Sequence, residues 1–147
     1  MEMQQIIDAV LGFDGALVVQ PAEGSEFPEL AWGDAFFYYA PDGVMPERSQ
    51  PYGTIITKNY PDDERSRLEQ PGRFRVNVQV ERGQAQRLIE GDDPAEPDSF
   101  VAHPLYGAAG WLSVVNPATR TSDALLVLLR NAHDAAKARA TRRERLA

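Results

Sequence analysis

The chain has 147 residues, 43% hydrophobic and 25% charged, enough for one globular domain with its own core and too few for two comfortable ones. It has no cysteine, which removes disulfides, thiolate metal sites and cysteine nucleophiles from consideration. The net charge is −7; after Asn131 five basic residues (Lys137, Arg139, Arg142, Arg143, Arg145) face only two acidic ones, so the preceding body carries all the excess negative charge and repels phosphate backbones.

The opening MEMQQIIDAVLGF lacks the basic and apolar regions of a secretory signal. The longest apolar run, Ala124 to Leu129, is far shorter than a bilayer span. The expectation is a soluble, cytoplasmic protein with no membrane partner, either a monomer or a homodimer. Met3, Ile6, Ile7, Val10 and Leu11 follow helical spacing, and Gly12 or Gly15 ends that helix. Ala16 to Gln20 reads as a strand stopped by Pro21. The aromatic stretch ELAWGDAFFYYAPDG reads as strand on both sides of Gly33-Asp34, closed by the turn Pro41-Asp42-Gly43.

YGTIITKNY is a further strand with Ile55 and Ile56 inward. PDDERSRLEQPG reads as a helical turn or short helix. RFRVNVQV is the cleanest strand, because Phe74, Val76, Val78 and Val80 alternate with Arg73, Arg75, Asn77 and Gln79. ERGQAQRLIEG reads as a helix, GDDPAEPDS as an acidic solvated loop, and GWLSVVNP as the last strand. Thr121 or Ser122 caps a long final helix whose apolar stripe is Leu125, Leu128, Leu129, Ala132 and Ala136. The predicted fold is α+β: a single domain over residues 1–138, a curved antiparallel sheet packed against an N-terminal and a long C-terminal helix. Residues 139–147 are expected to be a frayed basic tail.

Phosphate-loop patterns, a nucleophile elbow and paired histidines are all missing, so no cofactor and no metal is expected. Three constellations remain. Trp32 and Asp34, two apart, share a face if they lie on a strand; Asp34 then either anchors a ligand beside the indole or organises the turn through backbone N–H groups. Lys58 and Tyr60 with Arg75 and Asn77 form either an anion site or, the favoured reading, a solvated sheet face. His103, in HPLYGAAGWLSVVNP, precedes a proline turn, a setting in which histidine more often ties a corner than does chemistry. Tyr106 and Trp111 are expected to anchor the last strand against the core.

The blocks ELAWGDAFFYYAPDG, PYGTIITKNYP, SRLEQPGRFRVNV and HPLYGAAGWLSVVNP together resemble a bacterial family of small domains of unknown function. More faintly, GWLSVVNP followed by SDALLVLLRNAH is similar to the ending of MmcQ/YjbR-like proteins, although no histidine directly precedes Trp111. That similarity implies an α+β double-wing fold, for which DNA binding has been suggested. The acidic body argues against nucleic acid as partner. The expected function is a non-enzymatic binding or interaction module for a small molecule or a protein. Its hypothetical cleft comprises Trp32, Asp34, Lys58, Arg75, Asn77, His103 and Trp111. The alternatives are DNA binding, and an enzyme using Asp34 or His103 as acid–base group.

Overall fold

The structure is a computed structural model describing residues 1–146. Helix α1 (Met3–Leu11) begins where Gln5 Oε1 accepts the Glu2 N–H at 2.7 Å, and it buries Ile6, Ile7 and Val10. Strands β1 (Ala16–Val19), β2 (Ala35–Tyr39), β3 (Gly53–Ile56) and β4 (Arg75–Gln79) follow. After them come a short helix α2 (Gln84–Leu88), β5 (Val101–Ala102), β6 (Trp111–Val115) and the long helix α3 (Ser122–Leu146). The six strands form one sheet in the order β1-β2-β3-β4-β6-β5, and every neighbouring pair is antiparallel. This is the α+β architecture expected from the sequence. No helix among the described residues is long and apolar enough to cross a membrane.

Register gives the sheet two unlike faces. Phe37, Gly53, Ile55, Val76, Val78, Leu112 and Val114 stand on one face and are buried under α1 and α3, which contribute Ile6, Ile7, Val10, Leu125 and Leu129. Thr54, Asn77 and Ser113 stand in register on the other, as do Ile56, Arg75 and Val115. His133 ties the helical side together: its Nε2–H donates to the Asp14 carbonyl at 2.6 Å, which leaves Nδ1 to accept the Tyr52 hydroxyl at 2.9 Å.

Several local expectations are corrected. Trp32 and Asp34 do not lie on a strand: after Pro28, residues Glu29–Ala31 form a 3-10 turn, and Gly33 takes φ 87°, so β2 starts only at Ala35. Residues 61–72 form successive turns rather than a helix, with Asp62 and Arg67 at positive φ and Asn59 Oδ1 accepting the Leu68 N–H. The face carrying Arg75 and Asn77 is not solvated; both are buried, Arg75 against Asp63, Ser66 and His103, and Asn77 between Thr54 and Ser113. Helix α3 extends through Leu146, and the last residue of the expected 139–147 tail, Ala147, lies outside the described residues. Asp98, read as part of a solvated loop, accepts N–H groups of Ala118, Arg120 and Thr121 and the Thr121 hydroxyl, fixing the entry to α3. Burial pushes its carboxyl up, but those hydrogen bonds outweigh it and hold the group below the usual carboxylate range.

Helix α3 can lie on β3 because position 53 has no side chain. A Cβ there would meet Leu129 Cδ2 and Phe37 Cδ2 at 3.0 Å and the Asn77 carbonyl at 3.3 Å. Gly53→Ala is expected to destabilise the fold by about 1–3 kcal/mol in urea denaturation, through overpacking. An unchanged midpoint would show that α3 does not press on β3 at this point.

Candidate functional site

The site grows from the period-two alternation of β4. That alternation puts Arg75 and Asn77 on the face away from the helices. Arg75 is only 2% exposed, so its charge needs a partner. Asp63 supplies one: Nη1 and Nη2 donate to its two carboxylate oxygens at 2.9 and 2.6 Å, and Nη1 also donates to Ser66 Oγ at 3.0 Å. Burial alone pushes the Asp63 carboxyl up, yet the hydrogen bonds and charge of Arg75 prevail and hold it below its ordinary value. Arg75 Nε is buried and has no hydrogen-bond partner among the described residues.

His103 sits beside this pair. Its Nδ1 accepts the N–H groups of Leu105 and Tyr106, both at 3.1 Å, so in the neutral ring the proton is on Nε2. Nε2 lies 3.4 Å from Arg75 Nη2, a donor facing a donor, and neither satisfies the other. Burial first, and then the Arg75 charge, push His103 down to about 4 against the opposing pull of Asp63. The imidazole is therefore neutral at physiological pH, with an Nε2–H group not satisfied by Arg75. Its corner is clamped from outside by Arg65 Nη2, which donates to the Pro104 carbonyl at 2.5 Å.

Asn77 organises the floor between strands. Its Oδ1 accepts the Ser113 hydroxyl at 2.7 Å and its Nδ2 donates to Thr54 Oγ1 at 2.9 Å, which leaves the Thr54 hydroxyl proton uncommitted. Above this floor is a cleft of about 550 Å³. Tyr60, Tyr106, Trp111 and Ile56 wall it, and Gln50, Thr54, Asp63, Arg75, Asn77 and His103 supply the polar groups. The Tyr106 ring packs 4.9 Å from the His103 ring. After Tyr106 a 3-10 turn (Gly107–Ala109) and Gly110 at φ 89° return the chain to Trp111; a Cβ at Gly110 would crowd the Val80 carbonyl at 3.2 Å.

Four of the seven residues singled out in the sequence, Arg75, Asn77, His103 and Trp111, line this cleft. Trp32, Asp34 and Lys58 are gathered elsewhere, at the ends of β2 and β3. Buried Asp34 accepts from Thr57 N–H at 2.8 Å, Thr57 Oγ1 at 2.6 Å, Lys58 Nζ at 3.1 Å and the Tyr60 hydroxyl at 2.5 Å. It does not line the aromatic cleft. Trp32 is half-buried, its Nε1–H donating to the Phe27 carbonyl and its own carbonyl accepting from Lys58 Nζ. Tyr60 joins the two groups. Its ring walls the cleft while burial, the hydrogen bond to Asp34 and the Asp34 charge all raise its pKa, so it stays a proton donor to Asp34.

Asp63, Ser66 and Thr54 escaped sequence reasoning, and Tyr106 was misplaced: it is 56% exposed at the cleft mouth rather than packed in the core. The one available signal for Asp63 was an arginine on a strand whose neighbours on both sides are valine or phenylalanine. Such a residue, if buried, requires a carboxylate, and PDDE was one run that could supply it.

Acid should loosen this site in two stages. Unfolded histidine protonates near 6.5 and His103 in the fold only near 4, so between those values the unfolded chain binds more protons and stability falls as pH falls. The loss is on the order of 2–3 kcal/mol. Asp63, lowered by folding, then loses its contribution as pH falls further through its folded pKa. Urea midpoints measured from pH 7 to pH 4 should show the first stage, and His103→Asn, which keeps an acceptor for the Leu105 and Tyr106 N–H groups, should flatten it. An equal slope in that variant would assign the titration to another group.

A family model described as "Family of unknown function (DUF6194)" matches residues 1–145. No curated protein and no solved structure matches the chain.

Proposed function

The chain belongs to the DUF6194 family, a membership that brings no activity with it, and from that premise we propose that the protein is a binding module whose small-molecule ligand occupies the cleft between Tyr106 and Trp111. The observation that carries this reading is the His103 Nε2–H at the cleft lining: Arg75 Nη2, 3.4 Å away and itself donating to Asp63 Oδ2 at 2.6 Å, is a donor and cannot satisfy it. An unsatisfied donor lining a cleft suits an acceptor on the ligand, such as a carbonyl oxygen. The Arg75 charge is already balanced by Asp63, so the acceptor need not be an anion. Aromatic walls favour a planar group. The ligand class that fits is a neutral, planar molecule carrying a carbonyl.

Nothing in this arrangement requires bond chemistry. His103 has its Nδ1 occupied by two backbone donors, and its ring is held neutral; both suit a fixed hydrogen-bond donor. The Arg75–Asp63–Ser66 network is likewise tied in place. Preorganised donors in an apolar-walled space serve recognition without rearrangement on binding.

Benzamide is a suitable probe, a planar ring with a neutral carbonyl. In a Trp32→Phe background Trp111 is the sole tryptophan, and its fluorescence should change saturably with benzamide at a Kd on the order of millimolar, as befits a fragment. Tyr106→Ala, at an exposed position, should weaken that binding about fivefold or more without loss of folding. Benzoate should bind more weakly than benzamide. No saturable response, or one that Tyr106→Ala leaves unaltered, contradicts the reading.

A further inference from the structure

Three arginines border a second, smaller space of about 320 Å³ at the far end of α3. Arg139 and Arg143 stand four residues apart on α3 and so share one helical face, and Arg48 comes from the segment joining β2 to β3. No carboxylate lines the space, although the chain has 22 acidic residues against 15 basic ones. The ion pairs among the described residues use Lys58, Arg75, Arg120 and Lys137, and none of these three arginines. Arg143 is nonetheless positioned, because its Nη2 donates to Ser49 Oγ at 3.2 Å and so links α3 to the Arg48 segment.

Like charges lining one space repel one another, and an anion held among them relieves that repulsion. Guanidinium forks match the paired oxygens of a phosphoryl group, and three of them surround more of it than one could. Tyr38 and Tyr39 also border the space, and neither hydroxyl hydrogen-bonds to another described residue. Burial raises the Tyr38 pKa and keeps its proton available. We propose that Arg48, Arg139 and Arg143 form a binding site for the phosphoryl group of a small molecule. The site is separate from the aromatic cleft, although Gln50 borders both spaces.

Pyrophosphate titrated calorimetrically into the full chain at low ionic strength tests this. Saturable binding is expected, and Arg139→Gln and Arg143→Gln should each weaken it at least tenfold. Arg142→Gln removes the same charge from the next position on α3, outside the lining, and should leave binding within twofold. Tyr106→Ala should also leave it unchanged, which separates this site from the aromatic cleft. Absence of binding overturns the proposal, as does an Arg142→Gln variant as weak as Arg143→Gln, which would mean diffuse charge attraction. Duplex DNA or anionic vesicles bound more tightly than pyrophosphate, and lost with the same two substitutions, would overturn the small-molecule assignment in favour of a polyanionic surface.

Discussion

The buried ion pair between Arg75 and Asp63 is the constraint around which the sheet's second face is arranged. A buried guanidinium at the start of a central strand cannot be left in an apolar interior without a counter-charge. Asp63 meets it with two hydrogen bonds, and Ser66 accepts a third. To do so the chain after β3 has to fold back across β4, and that fold is what turns an open sheet face into a cleft. The same segment brings Tyr60 to the wall, where Asp34 holds its hydroxyl from behind. His103 then closes the other side, its ring fixed by two backbone N–H groups and its Nε2 turned toward Arg75.

The two faces of the sheet consequently do different work. The helical face is held by apolar burial under α1 and α3, sharpened by the close approach at Gly53 and by the His133 bridge to Tyr52 and Asp14. The polar face is held by directed hydrogen bonds, Ser113 to Asn77 to Thr54 along the floor and Arg75 to Asp63 beside it. Hydrogen-bonded polar groups fix geometry where apolar packing would tolerate rearrangement. A rigid floor beside the unmatched His103 Nε2–H, under aromatic walls, is an arrangement suited to recognition.

Much of the architecture was legible in the sequence, and the reasons it ran out are physical. Period-two alternation in RFRVNVQV located β4 and stated which residues share a face. It could not state what covers that face, so Arg75 and Asn77 were read as solvated when both are buried. Aromatic content suggested strand through Trp32, but Pro28 and Gly33 impose a 3-10 turn there, which separates Trp32 and Asp34 from the cleft they were expected to line. His103 was read as a corner residue. It is one, through Leu105 and Tyr106, and the ring that ties the corner also lines the cleft. Asp98 looked like one more charge in an acidic loop; only the fold brings it to the start of α3. Contacts between segments distant in sequence, such as Ser49 with Arg143, leave no local pattern to read.

A double-mutant cycle on Arg75→Met and Asp63→Leu, followed by chemical denaturation, tests the central claim most directly. If the pair organises the second face, each single substitution strands a buried charge and lowers stability by about 3–5 kcal/mol, whereas the double variant recovers a large part of that loss. The coupling should then be several kcal/mol. Single substitutions that each cost less than about 1 kcal/mol and simply add would contradict the account, because the two side chains would then be independent and the cleft would not rest on their pairing.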